Sequence, residues 1–378
     1  MTERSTLTGS PGHRSAGTAA GPGAEQSAGQ TAEPAAGQTA GAHAEQSAGP
    51  TAGPTAGPAT GATAGPASEP RRAVRAAPAA GQPTGFAGTL PGGLLLTVRP
   101  RQWVKNLLVL AAPAAAGELA AVHTVLALAL VFALFTAAAA AVYLLNDARD
   151  AEADRAHPDK CRRPVAAGTV PVPLAYALGT VLALASTTAA ALLCNTGTAA
   201  LLAGYVVMQI AYCLRLKRVL VVDLAVVTAG FVMRAMSGGL ALGIPLSRWF
   251  LITAGFGALF MVAGKRYSEA LLMGAGEGGT RALLREYTVG YLRFVWQLAA
   301  GAAVLAYCLW ALEDGTGAGA TLCRQLSMVP LILAVLRYAV FTDRGASGSP
   351  EDVLLRDRPL AVTALCWAAL YGLSVAGM

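Results

Sequence analysis

A run of more than twenty apolar residues, Val122 to Leu145, ends abruptly in Asn146-Asp147-Ala-Arg-Asp150-Ala-Glu-Ala-Asp154, and this junction constrains the chain more than anything else in it. A helix needs about twenty apolar residues to cross the hydrocarbon of a bilayer, so the run predicts a span and the acids predict its exit. Asp147, Asp150 and Asp154 stand at i, i+3 and i+7, which puts all three on one stripe of a helix that continues past the membrane surface. Such a stripe suits a hard divalent cation, and magnesium takes one or two carboxylates together with the phosphates of a substrate. Lys160, Arg162 and Arg163, which follow, offer donors for phosphate oxygens. The competing reading is a solvated polar loop between two spans.

With 54% hydrophobic and only 13% charged residues, the chain is too apolar for a soluble domain and belongs in a membrane. Uncharged runs place further spans at Val170 to Cys194, Ala199 to Leu214, Val219 to Leu242, Trp249 to Gly264, Phe294 to Leu312, Leu326 to Phe341 and Pro359 to Ala376. The runs at 199 and 326 are short and need flanking residues to span. A ninth candidate, Pro100 to Ala116, contains Lys105 and is interrupted by Pro113, so an interfacial start and a kink are expected there. Residues 1–88 differ: they are rich in Ala, Gly, Pro, Thr, Ser and Gln, repeat AEQSAG and TAGP, and cannot bury a core. They read as a disordered cytoplasmic tail without the apolar segment of a signal peptide, which leaves residues 89–378 as the membrane domain.

Charge placement tests that count, because cytoplasmic connections carry the excess of Lys and Arg. With the amino terminus in the cytoplasm, nineteen basic residues fall on that side and only Arg248 and Arg324 on the other, which predicts nine spans and an external carboxyl terminus. The net charge of +7 is therefore a matter of topology and does not call for nucleic acid. The six cysteines, at 161, 194, 213, 308, 323 and 366, show neither metal-ligand spacing nor a disulfide framework.

Other polar clusters belong to the same face: Arg215 to Arg218, Lys265-Arg266-Tyr267-Ser268-Glu269, and Glu351-Asp352 with Arg356-Asp357-Arg358. On the fifth span Asp223 and Arg234 are eleven residues apart, three turns, and project from one side about 16 Å apart along the axis. Charges inside a span face a wet cavity or a structural partner on a neighbouring helix, and both alternatives stand. Arg99-Pro100-Arg101-Gln102-Trp103-Val-Lys105-Asn106 reads as an interfacial approach anchored by Trp103, with Lys105 and Asn106 at the headgroup layer. Gly238, Gly239 and Gly243 permit close helix packing, within one subunit or in a homo-oligomer.

Asn146-Asp147-x-x-Asp150-x-x-x-Asp154, then Lys160-x-x-Arg163-Pro164 and Gly168, together with nine expected helices, resemble the UbiA-type intramembrane prenyltransferase superfamily from about residue 95 to the end. The resemblance implies an all-α polytopic fold, nine transmembrane helices around a lipid-accessible cavity. Members that transfer a prenyl group usually carry a second acidic motif after the sixth helix, whereas this chain has the basic Gly264-Lys265-Arg266-Tyr267-Ser268-Glu269. That departure, with the segments at 99–106, 291–296 and 350–358, is similar to an actinobacterial branch that moves phosphoribosyl groups.

What the resemblance implies is attack by decaprenyl phosphate on C1 of phosphoribosyl pyrophosphate, feeding the arabinose donor of the cell wall. Asp147, Asp150 and Asp154 would hold Mg2+, with Asn146 orienting them or a ribose hydroxyl. Lys160, Arg162 and Arg163 would grip pyrophosphate, while Lys265, Arg266 and Tyr267 would take the ribose 5-phosphate or the lipid phosphate. Lys105, Asn106 and Arg234 would complete the cage. Two rivals remain: a prenyltransferase with an aromatic acceptor, which needs a second acid pair, and a transporter, which needs mid-membrane substrate groups and related halves.

Overall fold

The computed structural model describes residues 85–119, 121–274, 286–313, 317–346, 353, 354 and 356–377. The chain divides into two units, 1–73 and 74–378, and every described residue belongs to the second. The tail to residue 84, Glu277, Arg281 and Arg285, and Pro350-Glu351-Asp352 lie outside the described residues.

Among the described residues every regular element is helical. A 3-10 turn (Gly85–Gly88) leads into α1 (Leu90–Thr97), a 3-10 segment (Pro100–Leu110) and α2 (Ala111–Ala116). Then come α3 (Val122–Arg149), the short α4 (Ala151–Arg155), α5 (Val172–Leu193), α6 (Thr196–Leu214) and α7 (Val222–Ala241). The remainder is α8 (Arg248–Gly274), α9 (Val289–Ala311), α10 (Ala318–Leu326), α11 (Met328–Asp343) and α12 (Arg358–Val375). Seven stretches are long and apolar enough to cross a membrane: α3, α5, α6, α7, α9, α10 with α11, and α12. Although α8 has 27 residues, it is not among them, since Arg248, Lys265, Arg266 and Glu269 dilute its apolar run. Near Pro113, where a kink is expected, the helix changes from 3-10 to α at residue 111, and the proline lies in the first turn of α2.

Caps explain where the spans begin and end. Asn195 accepts from Thr198 N–H at 2.8 Å to start α6, and its amide donates to the Leu240 carbonyl at 2.8 Å, tying the beginning of α6 to the end of α7. Gly243, at φ +68°, closes α7: its N–H bonds the Leu240 carbonyl while Ile244 N–H bonds that of Gly239. Asp357 caps α12 through Leu360 N–H at 2.9 Å and holds Arg337 of α11 at 2.8 Å. The short run expected from Leu326 does borrow residues, because α10 and α11 are separated only by Ser327.

Two polar ends bound an apolar belt. At one end Arg248 and Trp249 meet Glu313, and at the other Arg266 meets Asp223. Eighteen residues of α8 separate the two arginines, about 27 Å of helix, close to one hydrocarbon thickness.

The glycines act inside the subunit. Gly238 of α7 lies so near the Val109 carbonyl oxygen that an added methyl collides with it, and a methyl on Gly239 would come to 2.9 Å from the Ala112 Cβ. This contact docks the 3-10 segment on α7. Gly238→Ala is expected to lower the melting temperature in detergent by the equivalent of about 2 kcal/mol or more, as over-packing does. Gly257→Ala, with nothing within 4 Å, serves as the tolerated control. Equal melting curves for the two variants would remove the docking role.

Candidate active site

The acidic end of α3 is built by a break in the helix. Asp150 departs from helical geometry at φ −87°, ψ 4°, and α4 restarts behind it. The expected single stripe therefore divides. Asp147 and Asp154 turn to one side and share Arg163, at 3.2 and 2.8 Å, while Asp150 reaches Lys217 at 2.9 Å. Arg99 adds a second guanidinium to Asp147 at 2.9 Å and lies over the Tyr143 ring. Arg149 donates to the Cys213 carbonyl at 2.5 Å, which neutralises the carboxyl end of α6 and fixes it beside α3.

These groups open on a cavity of about 540 Å³. From the α3 side it receives Asn146, Asp150, Lys160, Arg163 and Arg99. From α6 come Gln209, Tyr212 and Cys213, from the following turn Lys217 and Arg218, and from α7 and α8 Asp223 and Arg266. Asp223 and Arg266 pair at 3.1 Å with side chains only 5 and 6% exposed, and Tyr212 donates to Asp223 at 2.6 Å. Lys160 and Arg218 line the cavity with no carboxylate in ion-pair range among the described residues.

The backbone is strained at this cavity. Two described residues other than glycine have positive φ, Arg99 at 55° and Val221 at 67°, and the first lines the cavity while the second precedes α7. For a β-branched valine that conformation costs about 1–3 kcal/mol, and it persists only where the surroundings impose it. Here Val221 N–H is held by the Tyr287 hydroxyl at 2.7 Å. Burial pushes the Tyr287 phenol above its ordinary value, so it stays protonated at neutral pH.

The residues expected from sequence fall into three groups. Asn146, Asp150, Lys160, Arg163 and Arg266 line the cavity, so the acidic and basic motifs meet on one space. Asp147 and Asp154 are buried behind it, holding Arg99 and Arg163. The others point elsewhere. Arg162 and Lys265 are exposed and outside the lining. Tyr267 is fully buried against Trp296 and accepts from Arg293 at 2.6 Å. Successive residues of a helix diverge by about 100°, so Lys265, Arg266 and Tyr267 cannot share one face. Lys105 is half-buried on the 3-10 segment and does not line the cavity. Asn106 and Arg234 bond each other at 2.8 Å inside the bundle, and Arg234 also donates to Tyr205 at 2.6 Å. Of the two charges on α7, Asp223 faces the cavity and Arg234 is paired structurally.

Among the described residues no three His, Cys, Asp or Glu side chains gather to hold a metal unaided. The donors are nonetheless hard oxygens beside cations, which matches an ion completed by substrate phosphates.

The UbiA prenyltransferase family model matches residues 107–353. The chain belongs to the UbiA prenyltransferase family. A relative in Mycobacterium tuberculosis H37Rv, decaprenyl-phosphate phosphoribosyltransferase, is 48% identical over 76% of this chain and 95% of its own length. The enzyme of the same name in Corynebacterium glutamicum is 47% identical over 74% of this chain and 85% of its own. Among solved structures, a UbiA homolog from Archaeoglobus fulgidus bound to DMAPP and Mg2+ superposes with a TM-score of 0.56 at 18% identity, over 76% of this chain and all of that one. The chain thus has the UbiA fold of a multi-pass membrane protein.

The two ion pairs that span the cavity differ in burial, and their loss should differ accordingly. Asp223→Ala takes the nearer carboxylate from the Arg266 guanidinium, 6% exposed, leaving it Glu269 at 3.3 Å, and is expected to cost about 3 kcal/mol, the low end for a broken buried pair. Asp150→Ala breaks a pair exposed to nearly a third on each partner and is expected to cost less than about 1 kcal/mol. Thermal unfolding of the two variants in detergent checks the order, and a larger loss for Asp150→Ala would refute it.

Proposed function

We propose that the chain transfers the 5-phosphoribosyl group of phosphoribosyl pyrophosphate to decaprenyl phosphate, giving decaprenylphosphoryl-5-phosphoribose and pyrophosphate. The relatives at 45–48% identity are named for that transfer to decaprenyl phosphate. The observation that carries the reading is the lining of one cavity: six cations, Arg99, Lys160, Arg163, Lys217, Arg218 and Arg266, against Asp150, Asp223 and Glu286. Such a surplus suits polyanionic substrates. α8 offers it Arg266 where a second acidic face would serve a prenyl pyrophosphate with an aromatic acceptor, which disfavours that rival.

A phosphate monoester is largely dianionic near neutral pH, so its oxygen attacks C1 without a general base. The new bond joins that oxygen to C1, and the C1–oxygen bond to pyrophosphate breaks with the electron pair leaving on pyrophosphate. What the protein must do is position both anions and stabilise the leaving one. Lys160, Arg163 and Arg99, grouped at the acidic motif, would hold the pyrophosphate; Arg266, Lys217 and Arg218, across the cavity, would hold the remaining phosphate. Asp150 and Asn146 at the lining, with Asp147 behind them, would hold Mg2+ together with substrate oxygens, and Asp154 is committed to Arg163. Bound there, magnesium supplies neutralisation of the departing charge.

The proposal includes nine spans, with α8 and residues 100–116 added to the seven apolar ones, and an amino terminus in the cytoplasm. The concentration of basic residues at the cavity end of the bundle supports that sidedness in the plasma membrane. The catalytic domain is residues 89–378, and the product enters synthesis of the cell-wall arabinan precursor.

Purified protein incubated with labelled phosphoribosyl pyrophosphate and decaprenyl phosphate should carry label into the organic phase. Label left wholly in water would end this reading. Asp150→Ala should lose transfer by about a thousandfold or more, the scale of removing a preorganised charge, while remaining folded. Turnover within tenfold of the unaltered protein would deny Asp150 its role.

A further inference from the structure

Gln209 lies five residues before the end of the α6 span, about 7.5 Å below the layer of charged side chains. Its side chain lines the cavity and has no hydrogen-bond partner among the described residues. Half-buried in the cavity wall, the carboxamide is placed to bond whatever occupies that space. The other amides nearby are occupied: Asn106 by Thr136 and Arg234, Asn146 by Asp147.

The surroundings keep a place for this group. Gly230 of α7 faces it, and a methyl there would come to 2.9 Å from the Gln209 Nε2 and 3.5 Å from Arg234 Nη1. Behind it, outside the cavity lining, Arg234 is immobilised by Asn106, the Gly230 carbonyl and Tyr205, so the helix surface against which Gln209 rests is fixed. Above, the cations take the phosphates. An amide presents one acceptor and two donors, which answers a hydroxyl, itself donor and acceptor. Phosphate oxygens offer only acceptors and are already served by the cations at the rim.

Resting on the phosphoribosyl transfer proposed above, we propose that Gln209 hydrogen-bonds a ribose hydroxyl of the donor and selects a hydroxylated sugar pyrophosphate over one without hydroxyls. It is a specificity-determining residue with no part in the bond exchange itself. The amide compensates the loss of water from the sugar, and a donor lacking the hydroxyl leaves it unpaired.

The test is a functional-group cycle on the full chain in detergent, with phosphoribosyl pyrophosphate and its 2-deoxy and 3-deoxy analogues as donors. The unaltered protein should lose about tenfold in kcat/KM with one deoxy donor, the worth of one hydrogen bond of about 1.4 kcal/mol. Gln209→Met should lose about tenfold with the natural donor, no longer distinguish it from that deoxy donor, and keep its KM for decaprenyl phosphate. Should Gln209→Met not fold, Gly230→Ala displaces the amide without removing it and should blunt the same discrimination. Discrimination that survives in the variants, or is missing from the unaltered protein, overturns the role of Gln209 and leaves the transfer reaction standing. Failure of the unaltered protein to use the natural donor overturns both.

Discussion

Neither Asp223 nor Arg266 is tolerable alone at the edge of a hydrocarbon core, and together they set where α7 and α8 meet. A lone ion there costs several kcal/mol, and the penalty is offset only when charge and hydrogen bonds are both answered. Asp223 has that answer twice, from the Arg266 guanidinium at 3.1 Å and the Tyr212 hydroxyl at 2.6 Å. The pairing draws α6, α7 and α8 around one point. The cavity follows from it, because the remaining cations have to collect where water and counter-charge reach them. The same logic explains why Asp147 and Asp154 face Arg99 and Arg163 instead of lining the space directly.

Much of the fold was legible because a bilayer asks for uninterrupted apolar length, and α3, α5, α7, α9 and α12 show it within a few residues of their observed ends. α8 is less apolar than the other long helices for the reason that makes it useful: it carries Arg266, one of the site's cations, inside the helix, and Lys265 to Glu269 continue it to Gly274. The acidic motif was legible because its members are neighbours in the chain. The split of that stripe was not, since nothing local announces the break at Asp150.

The rest of the site is assembled from distant segments, and there the sequence is weaker. Arg99 read as part of an interfacial approach, and Lys217 as one of a cluster on the acidic motif's face with no role of its own, yet both line the cavity. Lys265 and Tyr267 were expected beside Arg266 because they adjoin it, and helical rotation sends one to the surface and the other to the core. One overlooked signal was present: Tyr205, Gln209 and Tyr212 recur at i, i+4 and i+7 within the apolar α6. Polar groups at helical spacing in a span mark one face, and here that face is the inner wall.

The distance between the Arg248 and Arg266 ends also bears on the bilayer around the protein. At each end a charge is tied to a neighbouring segment, Arg266 to Asp223 and Arg248 to Glu313, so the apolar stretch of about 27 Å in α8 resists lengthening. A bilayer with longer acyl chains has to compress against it, at a fraction of a kcal/mol for each ångström of mismatch. That stored deformation falls on the helices that border the cavity, so acyl-chain length becomes a variable acting on the fold from outside, independent of headgroup.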